Sequence, residues 1–121
     1  MYIYEQSSGN LLDNNGKLLT SGYSGKDKCK NDPKSQNIKN FGPIPQGNYT
    51  IGKSYDSPHT GGLTLPLTPD KNNKMFRRSA FCIHGDNIGD PGTASNGCII
   101  INRNIRKFID DNNDKILVVI E

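Results

Sequence analysis

The sequence FCIHGDNIGDPGTASNGCIII, residues 81–101, sets two short apolar runs on either side of a loop rich in Gly, Asn and Asp. In the first run, Cys82 and His84 alternate with apolar residues, and this period of two predicts a strand that carries both side chains on one face. The run after Cys98 predicts a short buried strand. The intervening loop of 13 residues can fold back and bring neighbouring strand ends together. We therefore expect the His84 imidazole and the Cys98 thiol to lie within hydrogen-bond reach.

A histidine beside a cysteine is the smallest set of groups that makes a thiol nucleophile. Imidazole can accept the proton that keeps a thiol unreactive at its ordinary pKa of about 8.5. Gly97, directly before Cys98, allows a tight backbone turn, and the N–H groups of Gly97 and Cys98 are candidates for an oxyanion hole. Because His84 precedes Cys98, the chain order is the reverse of that in papain-like peptidases.

The chain before this motif consists mainly of short strands and turns. Asn15-Gly16, between two short apolar stretches, predicts a tight hairpin. Residues 25–42 are polar and lysine-rich, which is typical of a long exposed loop. A proline-fixed turn then leads into a strand at residues 49–53. The run LTLPLTPD contains Pro66, and a proline in this position predicts an edge strand or an extended segment.

The chain after the motif predicts one helix and a closing strand. Asn102 is a good N-cap for a helix at residues 104–110. The helix repeats apolar residues at the spacing of one face, namely Ile105, Phe108 and Ile109. The run KILVVI, residues 115–120, predicts the last strand. These elements predict a mainly β fold with one or two short helices in a single domain that spans residues 1–121.

Composition and charge exclude several classes of function. A chain of 121 residues with 15 basic and 12 acidic residues carries a net charge of only +3, and its Lys and Arg residues are scattered, so we expect no nucleic-acid partner. No apolar run is long enough to predict membrane insertion. The N-terminal residues do not resemble a Sec signal, so we expect synthesis in the cytoplasm and export by another route. Three cysteines, an odd number, do not indicate a disulfide framework.

The motif resembles that of a known enzyme family. FCIHGD and ASNGCIII are similar to the His-Gly and Ser-x-Gly-Cys signature of L,D-transpeptidases, cysteine enzymes that act on peptidoglycan stem peptides. Three further stretches resemble the small L,D-transpeptidase-like effector domains of type VI secretion systems: GYSG at 22–25, FGPIPQGNYTI at 41–51 and RSAFCIHGD at 78–86. The resemblance spans nearly the whole chain. It implies an L,D-transpeptidase-like, mainly antiparallel β architecture.

The resemblance also implies roles for individual residues. Cys98 is the implied nucleophile and His84 its base, with the imidazole oriented by a backbone carbonyl. Asp86 is a second, weaker candidate for that orientation. Ser95 lies next to the site in the family motif, and we expect it to form hydrogen bonds within the loop. Arg78 matches an arginine of the effector motif, where it either faces substrate carboxylates or anchors the loop.

One position departs from the pattern of the housekeeping enzymes. Many L,D-transpeptidases carry an arginine two residues after the cysteine, whereas this chain has Ile100. Arg103 and Arg106 lie shortly after it and are candidates to replace it. The substrate group that the missing arginine would contact is therefore open.

The implied substrate is the tetrapeptide stem of peptidoglycan. Attack by Cys98 releases D-Ala, and the acyl enzyme then passes to water, to a free D-amino acid or to another stem. Neither a metal nor a cofactor is expected. Because this substrate lies outside the cytoplasmic membrane, we expect an antibacterial effector that a secretion machinery carries into the target-cell periplasm. We also expect a dedicated immunity protein that covers the cleft between His84 and Cys98.

Two other functions stay open. In one, Cys82, His84 and Cys98, with or without Cys29, form a structural zinc site, although their spacing lacks the paired pattern of common zinc motifs. In the other, the chain is a noncatalytic cell-wall-binding module. The role of Cys82 is open as well, since it can line the site, form a disulfide with Cys98 or fill space as a small apolar residue. We favour the space-filling role.

Overall fold

Ten β-strands and one α-helix form the regular structure of the computed structural model, which describes residues 1–121. The helix is α1 (Arg103–Asp111). The strands are β1 (Tyr2–Glu5), β2 (Asn10–Leu12), β3 (Leu18–Ser21), β4 (Tyr23–Ser24), β5 (Gly47–Ile51), β6 (Tyr55–Ser57), β7 (Gly61–Pro69), β8 (Cys82–His84), β9 (Ile99–Ile100) and β10 (Ile116–Ile120). The predicted mainly β fold class is confirmed.

The strands form one mixed sheet in the order β3-β2-β1-β10-β5-β7-β8-β9-β4, with β6 paired to β7 beside this path. Most neighbours are antiparallel, as expected, and the hairpin at Asn15-Gly16 joins β2 to β3. Two pairs are parallel: β1 with β10, and β8 with β9. A parallel pair needs a crossover of about a dozen residues or more between its strands. The loop of residues 85–97 makes this crossover from β8 to β9, and it is therefore tied to the sheet at both ends.

The core lies under the middle of the sheet and against the helix. Alternate residues of the strands supply it, because successive side chains of a strand point to opposite faces. The helix packs on β7 and β8. The fully or nearly fully buried members include Tyr2, Tyr4, Leu11, Tyr49, Leu65, Ile83, Ile99, Ile109 and Leu117. Strand β8 contributes Ile83 to this core, so its other face is free to carry Cys82 and His84.

Strand β7 corrects the expectation for Pro66. This strand is nine residues long and lies inside the sheet, with β5 and β6 on one side and β8 on the other. Pro66 falls opposite the gap between the end of β5 and the start of β6, where the ladder needs no N–H donor. Gly52 occupies that gap and donates its own N–H to the Pro66 carbonyl at 2.8 Å. A Cβ atom on Gly52 would lie 2.8 Å from the proline ring, so the glycine makes room for it.

The helix begins as predicted, but its buried face differs. The side chain of Asn102 accepts a hydrogen bond from the Ile105 N–H at 2.9 Å, which is the expected N-cap. Ile109 is buried, whereas Phe108 is 45% exposed and Arg106 is buried in its place. Successive residues of an α-helix are rotated by 100° about its axis. Arg106 and Phe108 therefore lie on opposite sides of Ile109, and the side of Arg106 faces the sheet. No helix of the structure is long and apolar enough to cross a bilayer.

The polar segment of residues 25–42 is less exposed than its composition suggests. It contains two short 3₁₀ turns, Asp27–Cys29 and Pro33–Ser35. Ser35 and Gly42 are buried, although most of the lysine side chains lie in solvent. The segment therefore packs its backbone against the rest of the fold, next to the loop that precedes β9.

Candidate active site

Cys98 faces Cys82 because β8 and β9 run parallel. Ile83 pairs with Ile99, so the residues that precede them, Cys82 and Cys98, are opposite neighbours. Their Sγ atoms lie 3.0 Å apart. His84 is two residues further along the same face of β8, and a ring nitrogen of His84 and both sulfur atoms lie within 4.8 Å of one another. The structure thus brings together the two residues expected to act chemically and adds Cys82 as a third.

The ring of His84 is oriented by its own backbone. The imidazole is 5% exposed, and its Nδ1 atom lies 2.8 Å from the carbonyl oxygen of Gly85. A carbonyl oxygen can only accept a hydrogen bond, so Nδ1 carries the proton. The neutral ring therefore keeps Nε2 unprotonated, which is the form that can take a proton from a thiol.

Asp86 does not contact the imidazole. Its carboxylate accepts hydrogen bonds from the Tyr23 hydroxyl at 2.6 Å and from the N–H groups of Asn87 and Gly92. The Tyr23 hydroxyl in turn accepts from the N–H of Ala94 at 3.0 Å. Asp86 and Tyr23 thus tie together the two ends of the crossover loop.

The contacts of Cys98 favour its thiolate. The contact between the two sulfur atoms allows either thiol to donate. When Cys82 donates to Cys98 Sγ, this hydrogen bond is the largest cause that lowers the pKa of Cys98. Burial opposes the shift, while the neighbouring His84 and the N–H of Cys82, 3.2 Å from the sulfur, add to it. The pKa of Cys82 is raised, first by that same hydrogen bond and then by burial. The shared proton therefore stays on Cys82, and Cys98 is the more reactive sulfur.

Ser95 holds the backbone of the residues before β9. Its side chain is fully buried, and its hydroxyl donates to the Cys98 carbonyl at 2.6 Å. The same oxygen accepts from the N–H groups of Gly25, at 2.9 Å, and Gly97, at 3.1 Å. The N–H of Gly97 is engaged in this way, whereas the N–H of Cys98 has no acceptor within the protein. Of the two N–H groups expected at an oxyanion hole, the geometry leaves that of Cys98 available.

Gly97 occupies a position that no larger residue fits. Its φ is +142°, and a Cβ atom there would lie 2.5 Å from the Arg78 guanidinium and 2.8 Å from the Phe81 ring. Glycine is therefore required both by the backbone conformation and by the close packing. This packing brings Arg78 directly under the turn that presents Cys98.

Arg78 has the contacts of an anchor. Its side chain is buried, and its guanidinium donates to four backbone carbonyl oxygens, at distances of 2.7 to 3.1 Å, those of Gln36, Gly42, Pro43 and Asn96. It thereby joins the polar segment of residues 25–42 to the loop before Cys98. The sequence left two roles open for Arg78, contact with substrate carboxylates or anchoring of the loop. The carbonyl oxygens already occupy the donors that a substrate carboxylate would need, so Arg78 anchors the loop.

Arg103 and Arg106 do not reach Cys98. Arg106 is buried and donates to the carbonyl oxygens of Ile101, Gly62 and Leu63. Arg103 lines a cleft of about 370 Å³ that contains neither His84 nor Cys98. Neither residue is therefore placed to substitute for an arginine at the position of Ile100.

Two clefts meet at Cys98, and they differ in charge. The first, of about 250 Å³, contains basic but no acidic side chains; its lining includes Lys39, Asn40, Arg77, Ala80, Asn96 and Cys98. The second, of about 590 Å³, contains an acidic side chain and both histidines; its lining includes His59, Ala80, His84, Asp86, Asn96 and Cys98. We call them the basic cleft and the large cleft. Sequence reasoning missed Lys39 and Arg77, because nothing local distinguishes them from other loop cations.

Cys82, His84 and Cys98 are also the only group of potential metal ligands in the structure. Thiolate and imidazole suit zinc, and at a Zn–S distance of about 2.3 Å two tetrahedral thiolates lie about 3.8 Å apart. The observed Sγ to Sγ distance is 3.0 Å, and Cys29 is not part of the group. The geometry fits a hydrogen-bonded thiol and thiolate better than a zinc site.

A mainly β fold that sets a cysteine beside a histidine where two clefts meet has the groups that thiol-based catalysis needs. A family model described as the Tlde1 domain matches residues 19–120, and the chain belongs to this family of type VI secretion effectors of the L,D-transpeptidase type. This finding confirms the resemblance read from the motifs. No curated protein matches the chain.

We expect alkylation of Cys98 to begin at a lower pH than that of an ordinary thiol. The apparent midpoint of the rate against pH should lie below about 8.5, because two donors from Cys82 stabilise the thiolate. Cys82→Ala removes the thiol donor and should raise the midpoint. Peptide mass spectrometry after timed iodoacetamide treatment measures the rate at Cys98 alone. A wild-type midpoint at or above the ordinary value would contradict this account of the site.

Proposed function

We propose that this chain is a cysteine-dependent L,D-carboxypeptidase and L,D-transpeptidase that acts on the peptide stems of peptidoglycan, with Cys98 as nucleophile and His84 as base. The observation that carries the proposal is the placement of an oriented His84 ring within 4.8 Å of the hydrogen-bonded Cys98 sulfur, where two clefts meet. Family membership supports the substrate class.

The first half of the reaction transfers the stem to the enzyme. The Cys98 thiol first gives its proton to Nε2 of His84. The resulting thiolate attacks the carbonyl carbon of the third stem residue, a diamino acid, and the carbonyl oxygen becomes an oxyanion. The free N–H of Cys98 is the available donor to that oxygen. When the C–N bond breaks, His84 gives its Nε2 proton to the leaving amine of D-Ala. The stem remains attached to Cys98 as a thioester.

The second half depends on the acceptor. His84, now neutral, can accept a proton from an incoming nucleophile through the same nitrogen. Water gives a shortened stem, a free D-amino acid gives an exchanged stem, and the amine of another stem gives a crosslink. The thiol is regenerated in each case.

The two clefts suggest how the stem lies across Cys98. The terminal D-Ala carries a carboxylate within one residue, about 3.5 Å of chain, of the bond that is cleaved. Lys39 and Arg77 form no hydrogen bond or ion pair within the protein, so both charges are free to meet that carboxylate in the basic cleft. The rest of the stem is larger, and we assign it to the large cleft, where Asp86 adds a negative charge.

The backbone beside the basic cleft is strained. Phe76, Arg77 and Ala80 all have positive φ, between 56° and 65°. Such conformations cost about 1 kcal/mol or more each in residues other than glycine, and they cluster at functional sites. The four hydrogen bonds of the adjacent Arg78 offset this strain and hold the segment. The strained backbone therefore presents Arg77 and Ala80 at the edge of the cleft, which supports a role for that edge in binding.

The effector family supports a site of action in the target-cell periplasm, since peptidoglycan lies outside the cytoplasmic membrane. A dedicated immunity protein would protect kin by covering the mouth of the large cleft. Ile88, at the tip of the crossover loop, is fully exposed and lines this cleft. A central apolar contact with a polar rim is the usual composition of such an interface, and it requires little net charge.

The nucleophile and base are tested by single substitutions. Cys98→Ala and His84→Ala should each abolish turnover of tetrapeptide stems without unfolding the chain, because the two groups act as a unit. Cys29→Ala, in a 3₁₀ turn away from the site, should leave turnover unchanged. Mass spectrometry of muropeptides after incubation with purified sacculi measures all products. Wild-type turnover by Cys98→Ala would refute the mechanism, and binding of sacculi without turnover by the wild type would indicate a noncatalytic module.

The orientation of the stem is tested with a charge pair. Arg77→Ala and Lys39→Ala should each raise KM about fivefold with little change in kcat, since an exposed charge pair contributes about 1 kcal/mol. Lys71→Ala, also exposed but outside both clefts, is the matched control and should have no effect. A stem whose terminal carboxylate is amidated should bind wild type and variants alike. If the variants discriminate the amidated stem as strongly as the wild type does, the carboxylate does not lie in the basic cleft.

The compartment of action is tested by expression in a Gram-negative host with and without a fused signal peptide. Growth arrest or swelling should require periplasmic targeting and an intact Cys98, because only there does the enzyme meet its substrate. Equal toxicity from the cytoplasmic form would refute the cell-wall target. A candidate immunity protein should suppress the toxicity and slow alkylation of Cys98, and Ile88→Glu should weaken its binding.

A further inference from the structure

We propose that Cys82 and Cys98 are a site of reversible oxidation, at which a low-molecular-weight disulfide such as oxidised glutathione converts the two thiols into an intramolecular disulfide that blocks the nucleophile. The loss of activity rests on the proposed function of Cys98. The disulfide itself rests only on the geometry of the two strands.

The register of β8 and β9 places the two cysteines within bonding range. Opposite neighbours on adjacent strands have Cα atoms about 5 Å apart, which lies inside the range of about 4.4 to 6.8 Å that disulfides span. The Sγ atoms are 3.0 Å apart, and a disulfide bond of about 2.05 Å requires them to approach by about 1 Å. Small rotations of the two side chains supply that movement, and the strand pairing stays intact.

The two sulfur atoms differ in access to solvent. Cys98 lines both the basic cleft and the large cleft. Cys82 lines neither cleft and is 8% exposed. A soluble oxidant therefore meets Cys98 first, and Cys82 can react only with a group already attached to Cys98. This is the division between an attacking and a resolving cysteine.

The reaction consists of two balanced thiol exchanges. In the first, the Cys98 thiolate attacks one sulfur of the oxidant, its disulfide bond breaks, and one thiolate leaves while Cys98 carries the other half as a mixed disulfide. In the second, Cys82 loses its proton and attacks Cys98 Sγ, and the second thiolate leaves. The two cysteines lose two electrons and two protons, and one molecule of oxidant becomes two molecules of thiol.

The first exchange also prepares the second. In the resting site the Cys82 proton is held by the negative charge on Cys98. Formation of the mixed disulfide removes that charge, so the main obstacle to ionisation of Cys82 disappears. His84, whose ring nitrogen lies within 4.8 Å of both sulfur atoms, is placed to accept the proton.

Oxidation and catalysis compete for one sulfur. A stem bound to Cys98 as a thioester leaves no thiolate to attack the oxidant, so a turning-over enzyme is protected. An idle enzyme in an oxidising compartment such as the periplasm is converted to the inactive disulfide and recovers when thiols reduce it.

The test uses the purified chain in buffers of graded oxidised and reduced glutathione. Intact mass and peptide mapping should show a Cys82–Cys98 link with the loss of two hydrogens, and iodoacetamide should no longer label Cys98. Dithiothreitol should restore both the original mass and the labelling. Cys82→Ser should instead accumulate the mixed disulfide of glutathione with Cys98. Cys29→Ser should behave like the wild type.

A wild-type chain that stops at the mixed disulfide, or that links Cys29 rather than Cys82, would overturn the proposal. Cys82→Ala provides the same comparison if the serine variant does not fold. The mass readout is independent of turnover, so its result stands apart from the test of catalysis. If Cys98→Ala keeps wild-type turnover and the wild-type chain still forms the disulfide, the proposed function fails and the oxidation site remains.

Discussion

The parallel pairing of β8 with β9, in which the buried residues Ile83 and Ile99 are opposite each other, is the constraint on which the site depends. The pairing determines which side chain lies beside Cys98, namely Cys82 as direct neighbour and His84 on the diagonal. Because the strands are only three and two residues long, the opposite ends of the pair are still close enough for His84 to act on Cys98. The same direction forces the chain to cross back between the strands, and the crossover loop therefore borders the large cleft.

A loop of this kind cannot be held by apolar packing, since it is made of polar and small residues. Polar side chains hold it instead: Asp86 and Tyr23 tie its two ends together, and two buried side chains hold the residues before Cys98. Arg78 donates to backbone carbonyls of residues 36 and 96, and the Ser95 hydroxyl accepts from the Gly97 N–H and donates to the Cys98 carbonyl. Each replaces hydrogen bonds that the loop would otherwise make with water. Cys98 thus sits on a well-anchored turn although no regular element precedes it.

The same arrangement gives Cys98 its two proposed reactivities. Its sulfur is open to both clefts, while donors from Cys82 and the ring of His84 stabilise its charge from behind. An electrophile that reaches the sulfur can be the carbonyl of a stem or the sulfur of an oxidant. The outcome depends on the neighbour that acts next: His84 completes the transfer of an acyl group, and Cys82 resolves a mixed disulfide.

The sequence by itself determined the features that depend on local pattern. The period of two put Cys82 and His84 on one face of β8, Asn102 marked the start of the helix, Asn15-Gly16 marked a hairpin, and the motif around Cys98 resembled that of L,D-transpeptidases. Each of these needs only a few consecutive residues, because capping, turn geometry and alternation act over one or two turns of chain. Only the tertiary structure decided the rest: that β8 and β9 run parallel, that Pro66 lies inside the sheet opposite Gly52, that Arg106 rather than Phe108 is buried, and that Lys39 and Arg77 meet at one cleft. These depend on contacts between segments far apart in the chain, where the partner and its direction set the environment of a residue and its own neighbours in sequence do not.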